Sequence, residues 1–173
     1  MNPTKATLDA RRRNDAGKSF QSRLESIWLG YRRSGRADIE KIDPPMKVYG
    51  TGPRRNVVFL ENPWLDYGGA WTEQGGRAIY IEAKSTEGER LSLGNSGVSD
   101  SQIKALRRWT RAGAVAAVAW HHGNEIKIVP ARELLDALDA GAKSIHWRHL
   151  PAAPRGLGLI EFDILTALAD RGD

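Results

Sequence analysis

The sequence predicts a mixed α/β fold in which a central β-sheet is flanked by helices, and three patterns lead to this prediction. Apolar residues recur at helical spacing between Lys18 and Ser34. The run Ala114–Trp120 is apolar throughout, as expected of a strand buried on both faces. Along the chain, the segments follow the order helix, strands, helix, strand, strand, helix. This order indicates one sheet with a helix on each face.

Composition indicates a single domain that binds a polyanion. Of the 173 residues, 40% are hydrophobic and 27% charged, and the formal net charge is +5, which favours nucleic acid as the partner. The absence of cysteine excludes disulfides and thiolate chemistry. No run of 18 apolar residues and no apolar signal segment is found, so we expect no membrane partner and a cytoplasmic location.

The N-terminal region is expected to comprise a flexible basic arm, residues 1–16, and a first helix. The arm contains Arg11, Arg12 and Arg13. Residues 17–173 would form the single domain, which begins with the helix Lys18–Ser34. Its core face consists of Phe20, Leu24, Ile27, Trp28 and Tyr31. Gln21 and Glu25 lie one turn apart beside that face, so both can face one cleft.

Prolines and glycines divide residues 43–65 into two short strand-like pieces, Met46–Tyr49 and Asn56–Leu60. The pair Arg54-Arg55 lies between them, at a turn. This pattern predicts a protruding β-hairpin with a basic tip.

Two further strands are expected near Trp64–Trp71 and at Arg77–Lys84. On the second, Glu82 and Lys84 point to one side, because side chains alternate along a strand. Asp66 and Glu82 can hold a hard divalent cation through oxygen. Lys84 can then orient an attacking water or offset charge on a phosphate. These residue types together are typical of metal-assisted phosphodiester cleavage.

The second half of the chain is predicted to supply the remaining elements. A polar loop at 86–97 precedes a helix capped by Ser99-Asp100, whose outer face is basic. The elements after that helix are the strands Ala114–Trp120 and Glu125–Val129 and the helices Ala131–Ala140 and Ile160–Ala169.

Two other patterns are interpreted as structural. Glu125-Ile126-Lys127 repeats the acid-x-Lys spacing, but it follows a Gly-Asn hairpin turn and is interpreted as a solvated strand face. Most of the six tryptophans are interpreted as core or interface residues, with Trp64 and Trp71 as the exceptions that could stack on bases.

Four motifs occur in a fixed order between residues 14 and 168. They are Asn14-Asp15-Ala16-Gly17-Lys18-Ser19-Phe20, the hairpin at 43–65, Asp66-Tyr67-Gly68-Gly69, and Glu82-Ala83-Lys84 followed by Ser101-Gln102-Ile103. In this order they resemble the RecU-type Holliday junction resolvases, within the restriction-endonuclease-like PD-(D/E)xK nucleases. The order and spacing are much more specific than any one motif.

The resemblance implies a homodimer with a restriction-endonuclease-like core that cuts four-way DNA junctions with Mg²⁺ or Mn²⁺ and needs no nucleotide cofactor. Asp66, Glu82 and the Ala83 carbonyl would bind metal, Lys84 would be the catalytic lysine, and Gln102 would lie beside the site. The hairpin would act as a stalk at the junction centre. The expected DNA contacts are Arg11, Arg12, Arg13, Lys18, Lys47, Arg54, Arg55, Lys104, Arg107 and Arg108. The host would be a bacterium or a phage-infected cell.

One departure from the family pattern affects the site. The family has a glutamate where this chain has Gln21. An amide is a poorer cation ligand than a carboxylate, and Glu25 is the candidate substitute. Two alternatives therefore stay open, namely a different PD-(D/E)xK DNA endonuclease and a non-catalytic junction-binding protein.

Overall fold

The computed structural model describes residues 5–50, 52, 55–59, 64–94 and 97–171, with the side chains of 5–16 and 59 outside that description. The helices are α1 Lys5–Ser34, α2 Asp100–Arg111, α3 Ala131–Asp139 and α4 Ile164–Ala169. The strands are β1 Asp38–Lys41, β2 Met46–Tyr49, β3 Asn56–Phe59, β4 Tyr67–Trp71, β5 Arg77–Ser85, β6 Arg90–Ser92, β7 Val115–His122, β8 Glu125–Pro130 and β9 Ser144–His146.

A five-stranded mixed sheet forms the centre, in the order β1-β4-β5-β7-β8. Only β5 and β7 run parallel; the other neighbours are antiparallel. One core lies between this sheet and α1 with α4, and the other lies between the sheet and α2 with α3. The predicted mixed α/β fold with a helix on each face is confirmed.

The alternation along β5 is as predicted. Ile79 and Ile81 are fully buried in the core under α1, with Ala83 packed against it. Glu82 and Lys84 therefore point to the opposite face, toward α2.

The predicted hairpin is formed by β2 and β3, which pair antiparallel from Met46↔Phe59 to Tyr49↔Asn56. All four β2 residues are exposed, as are Val57 and Val58 of β3. A hairpin exposed on both faces protrudes from the body of the molecule. Lys47 lies on its exposed surface and Arg55 near its tip, whereas Arg54 lies outside the described residues.

The start of α1 differs from the prediction by thirteen residues. The helix begins at Lys5 rather than Lys18, so residues 5–16 are helical. The segment from Lys5 to Ala16 contains neither proline nor glycine and includes several strong helix formers, and nothing in it breaks a helix. Arg11, Arg12 and Arg13 lie on this part of α1, and their side chains lie outside the description.

Four other expectations need correction. The loop 86–97 contains β6, which pairs with β9 from far along the chain. Strand β1 was not predicted, because only Ile39 of its four residues is buried. The last helix begins at Ile164 rather than Ile160, since Asp163 caps it and Phe162 forms an isolated bridge with Arg155. Trp71 is 2% exposed and belongs to the core, so it cannot stack on a base.

Lys127 was predicted to lie on a solvated face and is instead buried. Its ammonium donates a hydrogen bond to the Trp147 carbonyl at 2.9 Å and lies 4.5 Å from the centre of the Trp147 ring. Glu125 is exposed, as expected, with 4.0 Å between its carboxylate and the Lys127 Nζ. A buried lysine that binds a carbonyl and an indole has a structural role.

Candidate active site

Asp66 and Glu82 meet where β4 begins beside β5. Tyr67 pairs with Ile81, and continuing this antiparallel register places Asp66 opposite Glu82. The Ala83 N–H donates a hydrogen bond to Asp66 Oδ2 at 2.9 Å, and the Asp66 carbonyl accepts one from Ile42 at 2.8 Å. Both the side chain and the backbone of Asp66 are therefore fixed.

Gly69 allows β1 to approach β4 at this point. A Cβ added to Gly69 would lie 1.9 Å from the Asp38 carbonyl oxygen, so any side chain would push the strands apart. The close packing of β1 against β4 therefore explains why the last position of the Asp66-Tyr67-Gly68-Gly69 motif is glycine.

Glu82 is the buried acid of the site, with 2% of its surface exposed. Burial, and next the negative charge of Asp66, raise the pKa of Glu82 to about 8, while Lys84 opposes the shift. The Lys84 Nζ lies 3.1 Å from Glu82 Oε1, and the Lys84 side chain is 20% exposed. Two adjacent carboxylates and one ammonium have a net negative charge when all three groups are ionised.

Gln102 contacts Glu82 directly and is itself held by the start of α2. Its Nε2 donates a short hydrogen bond to Glu82 Oε1, and its Oε1 accepts one from the Ser99 N–H at 2.9 Å. The Ser99 hydroxyl in turn accepts a hydrogen bond from the Gln102 N–H, which completes a capping box. Because the amide oxygen is engaged by Ser99, the NH₂ group is directed at the carboxylate.

The residues of this site fit a hard divalent cation. Asp66 and Glu82 supply carboxylate oxygens, and a cation between them would relieve the repulsion that raises the pKa of Glu82. Ala83, the residue after Glu82, is half-buried, and its carbonyl is the third candidate ligand. The described residues contain no group of three or more His, Cys, Asp or Glu side chains arranged to hold a metal. Asp66 and Glu82 are the candidate carboxylate ligands, and the chain has Gln21 where the family has a glutamate.

Glu25 lies on α1, beside a groove that Trp28, Ile39 and Lys41 also line. It is exposed, and Gln21 is half-buried. Burial first, and then the charges of Glu25 and Asp66, raise the pKa of Tyr67 above its usual range. Glu25 is therefore within electrostatic reach of the residue next to Asp66, but no described hydrogen bond joins it to the site.

The predicted DNA contacts outside the arm and stalk differ in their surroundings. Lys18 and Lys104 are exposed. Arg107 forms two hydrogen bonds with Asp139, at 3.0 and 2.7 Å. The Arg108 guanidinium lies over the rings of Trp64 and Trp109.

Two contributors to the site could not be found from acid and lysine spacing. The backbone N–H of Ser99 orients the Gln102 side chain, whereas the sequence predicts only that Ser99 caps a helix. An aromatic cluster formed by Trp64, Tyr80 and Trp109 adjoins the site, since Trp64 is two residues before Asp66 and Tyr80 two residues before Glu82. Its members lie before β4, on β5 and on α2, so only the tertiary fold brings them together.

A comparison with known families identifies the family of the chain. A family model described as RecU, recombination protein U, matches residues 15–156. The chain belongs to the RecU family of Holliday junction resolvases. It is therefore a junction-resolving endonuclease of recombination, and the resemblance seen in the four motifs is confirmed.

Solved structures give weaker matches. Hjc, a Holliday junction resolvase from Archaeoglobus fulgidus, is 17% identical with a TM-score of 0.49, and the match covers 79% of this chain and 95% of Hjc. The crystal structure of SSO0001 is 12% identical with a TM-score of 0.31, and the match covers 73% of this chain and 63% of that one. No curated protein matches the sequence. Among the described residues, no helix is long and apolar enough to cross a membrane.

Proposed function

We propose that this resolvase cuts DNA with a divalent cation, Mg²⁺ or Mn²⁺, held by Asp66, Glu82 and the Ala83 carbonyl. The observation that carries the proposal is the pair of carboxylates beside Lys84, of which Glu82 is buried and Asp66 half-buried, because together they outnumber the one ammonium. A bound cation would supply Lewis-acid activation of the scissile phosphate and of the attacking water. The glutamate at the family position is missing, so the site would work with two protein carboxylates.

The chain's own residues would perform the remaining tasks. Lys84, partly exposed beside Glu82, would accept a proton of the water as a neutral amine, or contact the phosphate oxygens as an ammonium. Gln102 is a positioning residue, because it touches Glu82 and would fix the direction of its carboxylate. Glu25 remains a candidate for orienting water from the side of α1.

Binding would rest on phosphate contacts and on the shape of the junction. The stalk residues Lys47 and Arg55 are exposed, as Lys18 and Lys104 are on the body. A homodimer would supply two equivalent sites, matching the approximate two-fold symmetry of a four-way junction and its paired nicks. The cytoplasm of a bacterial or phage-infected cell is where such a substrate would be met.

The test is cleavage of a labelled four-way junction and a matched linear duplex with Mg²⁺, Mn²⁺ or EDTA. Symmetric paired nicks on the junction alone, lost in EDTA, would support the proposal. Nicks that persist in EDTA would contradict the metal role, and equal cutting of both substrates would indicate a general DNA endonuclease. Tight junction binding without any cutting would mean that the protein, with Gln21 in place of the family glutamate, binds junctions but does not hydrolyse them.

A further inference from the structure

An aromatic cluster that the metal site does not use lies on the α2 side of the sheet. Trp109 of α2 stacks with Tyr80 of β5, with 4.0 Å between ring centres and 19° between planes. Trp109 also stacks with Trp64, at 5.0 Å and 25°. Tyr80 and Trp109 are partly buried against the core, whereas Trp64 is 38% exposed. Tyr80 and Trp109 thus support the ring of Trp64, which is partly exposed.

The sequence makes room for this cluster with a glycine. Gly68 pairs with Tyr80 across β4 and β5, and a Cβ at Gly68 would lie 2.8 Å from the Tyr80 ring. Without that atom the tyrosine ring can lie against the backbone of β4, where Trp109 covers it. Gly68 is the variable position of its motif, so its role here is separate from that of Gly69.

One cation lies over the exposed ring, and two more lie on the same helix. The Arg108 guanidinium carbon is 4.9 Å from the centre of the Trp109 ring and 5.7 Å from that of Trp64. Lys104 and Arg111 of the same helix are exposed. Apolar protein interfaces are depleted in charge at their centre, whereas a π-face beside cations is typical of surfaces that bind single-stranded nucleic acid.

The cluster lies next to the carboxylates. Trp64 is two residues before Asp66, and Tyr80 is two residues before Glu82 on the same face of β5. Two residues along β5 span roughly 7 Å, so the Tyr80 ring that supports the cluster lies about one extended nucleotide step from Glu82. Trp64 also belongs to the segment 43–65 that contains the hairpin.

We propose that Trp64, supported by Trp109 and flanked by Arg108, is a stacking site for an unpaired nucleobase near the cut, an inference that rests on the proposed function. A base at the branch point of a junction loses part of its stacking in the duplex, so an indole can replace that contact at little cost. The site would select DNA with an unpaired or distorted nucleotide at the centre and would disfavour continuous duplex.

The test measures the fluorescence of 2-aminopurine placed at the branch point, with the same base inside one arm as the position control. Binding is measured in EDTA, so that no strand is cut. Stacking on an indole quenches this base, so the complex with Trp64→Leu should be brighter than the wild-type complex at the branch point only. Junction affinity should fall by about tenfold in Trp64→Leu, and Trp64→Phe should retain most of it.

Leu29→Ala is the matched control. Leu29 is 40% exposed, nearly the same fraction as Trp64, but it lies on α1, across the sheet from the cluster. This variant should match the wild type in both signals, and melting temperatures should show that all variants are folded.

Two results would overturn the stacking site alone. One is equal quenching by wild type and Trp64→Leu with unchanged junction affinity. The other is a change of oligomeric state in Trp64→Leu, measured by sedimentation, which would mean that a second copy of the chain covers Trp64. Failure of the wild type to bind the junction at all would overturn the proposed function as well.

Discussion

At the scale of single residues, the direction of one carboxylate depends on a helix cap. Glu82 is buried, and Gln102 donates a hydrogen bond to it while accepting one from the backbone of Ser99. Side chains that orient metal ligands commonly change activity by about 10–100-fold when removed. Gln102 should therefore affect rate and stability, whereas the Ser99 hydroxyl should affect stability alone.

This difference predicts distinct outcomes for two variants. Gln102→Ala should lower the single-turnover nicking rate by about 10–100-fold, because Glu82 loses its orienting donor. Ser99→Ala should lower the free energy of unfolding by about 1 kcal/mol while keeping the rate within about threefold, since the Ser99 N–H still holds Gln102. Rates on a junction substrate and urea unfolding check both. Equal loss of activity in the two variants would contradict the positioning role.

Residue-scale prediction from sequence succeeded where spacing alone carries the information. Alternation along β5 placed Glu82 and Lys84 on one face, as the structure has them. It failed for Lys127, because burial of that ammonium depends on Trp147, which lies on a separate segment and supplies both a carbonyl and a ring. The hairpin turn before Glu125 marks the second Glu-x-Lys as structural, but the burial of its lysine depends on tertiary neighbours that the sequence does not place.

At the scale of elements, close backbone approach determines how β1 joins the sheet. Gly69→Ala should lower the free energy of unfolding by about 2–4 kcal/mol, because its methyl group would clash with the Asp38 carbonyl. Gly17→Ala is the matched control: Gly17 lies within α1 with no atom near its missing Cβ, and alanine should stabilise the helix by about 0.5–1 kcal/mol. Urea unfolding of both variants is the measurement. A neutral Gly69→Ala would show that β1 can shift freely.

The contact between α4 and the loop after α1 predicts a pH dependence. Burial opposes ionisation of Asp163, but hydrogen bonds from Arg36 and Thr166 outweigh it, and its pKa lies below the usual range. A lowered pKa contributes stability above the unfolded value of about 3.9, and this contribution is lost as pH falls through the folded pKa.

Asp163→Asn should therefore be less stable than the wild type at pH 7, and the gap should shrink below about pH 4. Urea unfolding between pH 7 and pH 2 measures the difference in unfolding free energy. A gap that stays constant over this range would contradict the role of the ionised carboxylate.

Element boundaries were predicted well where local signals are strong. The Ser99 cap fixes the start of α2, and the apolar run fixes β7. The start of α1 is not evident from the sequence, because the basic run before Lys18 indicates an arm by its charge, although its residues are good helix formers. Strands β6 and β9 were missed because their pairing is short and spans more than fifty residues, so no local pattern indicates it.

At the scale of the whole molecule, the formal charge of +5 and the exposed stalk predict salt-sensitive binding to DNA. Lys47→Gln and Arg55→Gln should each reduce the slope of log affinity against log salt by about 1, because each is expected to neutralise one phosphate. Arg107→Gln should change the slope less, since Asp139 already holds that guanidinium. Junction binding in EDTA at several salt concentrations is the measurement; equal slopes for all three variants would contradict the stalk as a contact surface.

The central claim is that Glu82, and not the second Glu-x-Lys of the chain, lies in the metal site. The most direct measurement is the single-turnover nicking rate on a four-way junction for Glu82→Gln and for Glu125→Gln. We predict a loss of at least about a thousandfold for Glu82→Gln and a rate within about threefold of wild type for Glu125→Gln. Equal rates in the two variants, or a greater loss in Glu125→Gln, would contradict the assignment.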